Sequence, residues 1–340
     1  MHTSHPLQRY WDLAAAAVQG QALDAALELG VLDRLAQPVS AAQVAAALEL
    51  DPAQTGHLLD LLWSMDLLHR VAGDPVLYRC QPQARQYFCQ DQPGCCADAW
   101  RYRRQALGRF SAQLGGLLRR DGPRPAPYVQ TDAAGWAEAA RKQIGQEQRA
   151  VAVPAALEAL ACVPGASDAR RILDLGGGPG LIGIALVQAN PDASGTVFDW
   201  PETAAVAREN IARAGLADRL SVLGGDLARD AIGQGYDLIW CSSVLHFLPD
   251  PDAALRKMRD ALAPGGLLVM AHAEIPVDAA AAARVLPYYL PMMMLGRRVT
   301  RAGELRHALA DCGFADVRGF DSARFPLAPL HVLSARKAAP

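Results

Sequence analysis

The chain has 340 residues, 51 % of them hydrophobic, and a formal net charge of −2. That is enough chain for two ordinary domains and enough apolar mass to fill real cores, which excludes disorder as the main state. The near-neutral charge gives no global pull toward nucleic acid or acidic membranes, and none of the 7 cysteines forms a Cys-x-x-Cys pair of the kind that marks a zinc ribbon or a thioredoxin-like site.

The N-terminal stretch does not read as a signal peptide, because Asp12, Gln19, Gln21 and Asp24 interrupt its apolar run. No run of apolar residues is long enough to span a bilayer. A reduced, cytoplasmic protein with no membrane partner is the expectation. Residues 1–100 read as mostly helical. Leu23, Ala26, Leu27 and Leu29 form a helical stripe that Gly30 stops. Ser40 caps a second helix carrying Val44, Ala45, Ala47 and Leu48, and Asp51-Pro52 opens a third carrying Leu58, Leu59, Leu61, Leu62 and Met65. Leu68–Val71 and Val76–Cys80 flank a Gly73-Asp74-Pro75 turn and predict a hairpin. Three helices and a hairpin make a winged helix. A DNA-reading third helix needs basic or amide side chains, and Pro52–Leu68 has no Lys or Arg, with only Gln54 and His57 as candidate base readers, so a dimerisation and substrate-lid module is favoured and no nucleic-acid partner is expected.

Residues 101–165 read as connecting helices. Arg101, Arg103, Arg104 and Arg109 suit a solvated helix face. Pro123, Pro125 and Pro127 break the chain, a long helix is predicted from about Trp136 to Leu160, and Pro164-Gly165 closes it. From 166 to 340 strands and helices alternate. Strands are predicted at 172–175, 196–198, 220–223, 238–241 and 267–273, with helices at 182–188, 204–214 and 253–262 between them. This rhythm implies a mostly parallel sheet covered by helices on both faces, an α/β fold.

The strongest chemical signal is Asp174-Leu175-Gly176-Gly177-Gly178-Pro179-Gly180, between a strand and a helix. Glycines at 176, 178 and 180 permit a tight turn and close approach of a ligand at the carboxyl edge of the sheet. Leu181 stands where a dinucleotide fingerprint needs glycine, and no Gly-Lys-Ser/Thr follows, so a P-loop is excluded. Phe198-Asp199-Trp200-Pro201 ends the second strand and Gly224-Gly225-Asp226-Leu227 the third. Asp199 can accept two hydroxyl hydrogens; Asp226, taken singly, is equally a turn residue.

In this order the motifs resemble those of class I S-adenosylmethionine-dependent methyltransferases. With the winged helix, the chain resembles the caffeate-type and bacterial antibiotic-type small-molecule O-methyltransferases over nearly its whole length. The resemblance implies a Rossmann-like catalytic domain (166–340) behind a winged-helix dimerisation domain (1–100), a homodimer, and S-adenosyl-L-methionine as cofactor. It implies that Asp174, Gly176, Gly178, Gly180, Asp199, Trp200, Gly225, Asp226, Leu227 and Ser242 surround that cofactor. His246 falls on the family's catalytic base within Ser242-Ser243-Val244-Leu245-His246-Phe247-Leu248, and Glu274 on the acid that orients it. Ser242 replaces the family's lysine, Phe247-Leu248 replaces Asp-Trp, and no carboxylate stands near Arg298 for a second acid. Tyr289, Met292 and Met293 fall on the substrate-lining helix and imply an aromatic or apolar acceptor, a small secondary-metabolite-type molecule; Trp136 and Gln143 are candidates to close over the site. His246, His272 and Glu274 are too scattered to predict a metal, and none is expected. O-methylation is favoured over N- or C-methylation. A related fold that uses the cofactor for hydroxylation, decarboxylation or cyclisation is the alternative, and a winged-helix regulator the remote one.

Overall fold

The computed structural model describes residues 5–122, 132–327 and 329–338. Pro123, Pro125 and Pro127 lie outside the described residues. The chain divides into two compact units, Met1–Gln105 and Ala106–Pro340.

The first unit opens with α1 (Gln8–Glu28), and Gly30 leaves it at φ +68°. A short β1 (Val39–Ser40) leads into α2 (Ala41–Leu48), where Ser40 and Gln43 form the reciprocal capping box. Asp51 caps α3 (Pro52–Ser64) by accepting from the Gln54 amide at 2.8 Å. The hairpin is β2 (Leu68–Val71) and β3 (Leu77–Cys80), and β1 adds a third antiparallel strand beside β3. Helices α4 (Pro82–Phe88) and α5 (Ala97–Ser111) complete it, the division between the units falling inside α5. Leu32, Leu35, Leu59, Leu62 and Leu68 fill the core. Arg109 is exposed, as a solvated face requires, but Arg101 and Arg104 behave otherwise. Arg101 pairs with buried Asp24 at 2.9 Å, and Arg104 donates to the Gly20 carbonyl at 3.1 Å, because Asp24 needs a cation once α1 buries it.

In the second unit, α6 (Leu114–Leu117) precedes a helical path of α7 (Ala133–Ala139), α8 (Gly145–Glu147) and α9 (Val153–Ala161). One uninterrupted helix was the expectation here. The path is instead widened into π turns at Ala140–Ile144 and Gln148–Ala152. The alternating region follows: β4 (Arg171–Leu175), α10 (Leu181–Ala189), β5 (Ser194–Asp199), α11 (Pro201–Arg213), β6 (Leu220–Gly224), β7 (Tyr236–Ser242), α12 (Pro251–Ala261) and β8 (Leu262–His272). After these come α13 (Ala279–Met294), α14 (Glu304–Asp311), β9 (Phe314–Ser322) and β10 (Leu330–Lys337).

Among the described residues, seven strands form one sheet in the order β6-β5-β4-β7-β8-β10-β9. The first five are parallel, and β10 inserts antiparallel beside β8. Side chains alternate between two cores as the strand period requires. Ile172, Leu238, Trp240 and Val269 face one core; Leu173, Leu175, Ile239, Cys241 and Met270 face the other. Strand order reverses between β4 and β7, so their carboxyl ends flank the crevice where open α/β sheets bind ligands.

Candidate active site

Five strand ends, those of β4 to β8, build the site. β4 runs into the glycine loop, in which Gly176, Gly178 and Gly180 take φ of +68°, +60° and +76°. Left-handed backbone alone would favour glycine here. Gly176 has a second reason: a Cβ there would overlap the Val244 side chain, which follows β7. A Cβ on Gly180 would stand 3.0 Å from that of Ala207 on α11. The loop is therefore seated directly on its neighbours.

Two carboxylates brace it. Asp174, 2 % exposed, accepts from the Gly183 amide at 2.8 Å, tying the end of β4 to α10. Asp199, half-buried at the end of β5, accepts from the Gly178 amide at 2.8 Å and the Trp200 amide at 2.7 Å. Burial pushes the Asp174 carboxyl up to about 7, against the opposing Gly183 hydrogen bond and with a smaller push from Asp199. Burial likewise raises Asp199 to about 6, although both backbone hydrogen bonds pull it down. Trp200 is 43 % exposed at the start of α11. At the end of β6, the Gly225 amide donates to the Asp199 carbonyl at 2.9 Å, and Asp226 accepts from the Ala228 amide at 2.9 Å, while Leu227 is buried. Asp226 thus shapes a turn beside the Asp199 strand end.

Sequence reasoning missed two residues that hold the loop. Gln148, from the second π turn, donates to the Gly177 carbonyl at 3.0 Å and accepts from the Leu181 amide at 3.2 Å. Asn210 on α11 donates to the Pro179 carbonyl at 2.7 Å. The one available signal for Gln148 was a glutamine on an otherwise apolar face. Gln143 is buried in the first π turn. Widened helical turns of this kind recur at functional sites.

Ser242 ends β7, and His246 sits in a single tight turn, Leu245–Phe247, just beyond it. Because β7 pairs in parallel with β4, this turn and the glycine loop emerge side by side. His246 is 9 % exposed, with Phe247 at 4.2 Å and Tyr289 of α13 at 5.5 Å between ring centroids. Trp136 of α7 makes a T-shaped pair with Phe247, 5.1 Å between ring centroids. The structure thus gathers Trp136, Tyr289 and His246 around one turn, with Met292 buried and Met293 half-buried on the same helix as Tyr289. His272, at the end of β8, is 3 % exposed and 6.4 Å from His246; burial first, and His246 second, lower its pKa to about 3. Glu274 accepts from the amides of Leu305 at 3.0 Å and Gly303 at 3.2 Å, so both its oxygens serve the start of α14. Among the described residues no cluster of three or more His, Cys, Asp or Glu is arranged to hold a metal ion, and no helix is long and apolar enough to cross a membrane.

A glycine loop backed by two carboxylates at a strand-order reversal, beside a histidine enclosed by aromatic rings, defines an S-adenosylmethionine-dependent methyltransferase. Comparison with known proteins agrees. A methyltransferase domain model matches residues 173–268, and an O-methyltransferase dimerisation domain model matches residues 11–89. The chain is 30 % identical over 318 residues to the 3-hydroxy-5-methyl-1-naphthoate 3-O-methyltransferase of Streptomyces sahachiroi, covering 90 % of this chain and 89 % of that one. It is 28 % identical to acetylserotonin O-methyltransferase of Mus musculus over 96 % of this chain and 87 % of that one. Its fold matches human N-acetylserotonin methyltransferase in complex with SAM, with a TM-score of 0.79, 21 % identity and coverage of 99 % of both chains. The chain belongs to this family of small-molecule O-methyltransferases.

The residues present suit the cofactor. The glycines let the loop turn tightly at the carboxyl edge of the sheet, and Asp174 and Asp199 repel one another there, a repulsion that a cationic ligand would relieve.

Proposed function

We propose that the chain methylates a hydroxyl group on a small aromatic molecule, with His246 as general base. When bound, S-adenosylmethionine supplies a methyl group already made electrophilic by its sulfonium. The protein's own tasks are to hold donor and acceptor in line, exclude water and take the acceptor's proton. The Gly176–Gly180 loop, Asp199, Trp200, Gly225, Asp226, Leu227 and Ser242 hold the cofactor in this reading, with Asp174 bracing the loop. Trp136, Gln143, Tyr289, Met292 and Met293 line the acceptor's space, whose aromatic walls suit a flat ring. The hydroxyl proton passes to a ring nitrogen of His246, and the oxygen lone pair so freed forms the new bond to carbon. Carboxylates near the sulfonium stabilise its ground state as well, so they cannot alone account for rate. The relatives' names support an aromatic acceptor, since a hydroxynaphthoate is one.

The observation that carries this reading is the position of His246. Its turn packs against the glycine loop through Val244, and its ring is enclosed by Phe247 and Tyr289. A neutral imidazole placed there is suited to remove a phenolic proton near pH 7. His246→Ala is expected to lower turnover about 10²–10⁴-fold with cofactor affinity intact. Near-native turnover with a flat pH profile would remove the base from the mechanism and leave the cofactor site standing.

A homodimer built through the first unit is part of the same reading. Leu7, Tyr10, Trp11, Leu13 and Val18 of the N-terminal segment are each more than half exposed, at 58 %, 54 %, 62 %, 72 % and 62 %. That much apolar surface on one segment calls for a partner. The cysteines, all free thiols, fit a reducing cytoplasm.

A further inference from the structure

A cleft opens beside the His246 turn, where α12 and the segment before α14 converge. Its walls are apolar except for five residues: His246, Asp252, His272, Arg298 and Thr300. Two polar atoms on these walls are buried without a hydrogen-bond partner among the described residues: Asp252 Oδ1 and His272 Nε2. Arg298 approaches Asp252 Oδ1 no closer than 3.6 Å, an ion pair rather than a hydrogen bond. A buried carboxylate oxygen left without a donor is unfavourable unless something is gained. The other carboxylate at this end of the site, Glu274, is committed to the amides of Gly303 and Leu305.

We propose that Asp252 is a positioning residue for His246: across this cleft its carboxylate stabilises the imidazolium that forms when His246 accepts the acceptor's proton. The inference rests on His246 being the base. The charged and titratable groups around the histidine are Asp252 from α12, His272 and Glu274 from the end of β8, Tyr289 from α13, and Arg297 and Arg298 from the segment before α14. Arg297 donates to the Phe247 carbonyl at 2.9 Å and Glu274 is bound to α14. His272 stays neutral at working pH. Arg297 and Glu274 keep their charges where they are; Asp252 and Arg298 are the oppositely charged pair on the cleft wall itself, and they act on His246 in opposite directions.

Histidine-labelled NMR titration of the full chain tests this, with the His246 signal assigned by its loss in His246→Gln. Asp252→Asn is expected to lower the His246 pKa by about one unit, and to move the acid limb of kcat/KM down by the same amount. Asp252→Glu restores both. Arg298→Gln, at an exposed side chain, shifts both upward and carries the test if Asp252→Asn fails to fold. A His246 pKa unmoved in Asp252→Asn or Arg298→Gln overturns the inference, while loss of turnover in His246→Ala then still upholds the base. A pKa that moves without the acid limb overturns both.

Discussion

Asp199 in the proposed cofactor-holding role predicts that cofactor binding depends on pH, and its burial sets the size of the effect. Its carboxyl is raised to about 6 by burial. About nine-tenths of the molecules then carry the charge at pH 7 and about one-tenth at pH 5, so affinity for S-adenosylmethionine should weaken roughly tenfold, about 1.4 kcal/mol, over that span. Asp199→Asn removes the charge altogether. One of the two amides it serves, from Gly178 and Trp200, would then face an N–H instead of an oxygen. The loss of the charge-assisted contacts costs on the order of 1.5–3 kcal/mol of binding at pH 7. Calorimetry across about pH 5–8 on both proteins reads the result. The cofactor's own titrating groups act equally on both, so the difference between the two curves belongs to Asp199. Parallel curves, or equal affinity at pH 7, would refute the reasoning.

Asp174 gives a stability effect with a definite sign. Its folded pKa, about 7, lies above the ordinary aspartate value of 3.8. The stability linked to it is therefore fully present below pH 3.8 and is lost as pH rises through about 7. Asp174→Asn keeps an oxygen for the Gly183 amide, so the cofactor-free variant should gain on the native protein as pH rises from 4 to 7, by about 2–4 kcal/mol in total; urea unfolding at several pH values checks this, and a pH-independent difference contradicts it. Gly176→Ala meets both a positive φ and the Val244 side chain, so it should lose at least about 2 kcal/mol of stability together with cofactor binding; adding Val244→Ala should recover part of the loss in thermal unfolding, and no recovery would mean that Val244 is not the obstacle. Light scattering at micromolar concentration should report a dimer for the native chain and a monomer for a Trp11→Glu, Leu13→Glu variant; a monomeric native chain would count against the proposed assembly.

Much of both units was legible because the signals are local. A glycine that must take positive φ, a strand that ends on an acid and a helix capped by Ser40 or Asp51 each act within a few residues, and pattern reading finds them. The π turns were not legible. Residues 136–160 carry an ordinary helical pattern, and the widening that delivers Gln148 to the loop depends on packing against a segment some thirty residues further on. The closing pair β9–β10 escaped for a different reason. Most of β9 is exposed on the edge of the sheet, so it lacks the alternation that marks a half-buried strand. The role of Glu274 on α14 was also out of reach, since Gly303 and Leu305 lie about thirty residues downstream.

Two histidines stand at the end of this site, and their surroundings separate their chemistry. His272 is enclosed at the end of β8, and burial together with its neighbour holds its pKa near 3. A base that weak gains almost nothing by accepting a phenolic proton, so it remains neutral throughout turnover. His246 is placed differently, on a turn after β7, against the glycine loop and within a cleft that also holds the Asp252 carboxylate. A positive charge on His246 disfavours one on His272, whose ring lies 6.4 Å away, so the pair favours a single proton. Environments that push two like groups apart assign their roles in the proposed mechanism: His246 takes the proton, and His272 supplies a neutral polar wall beside it.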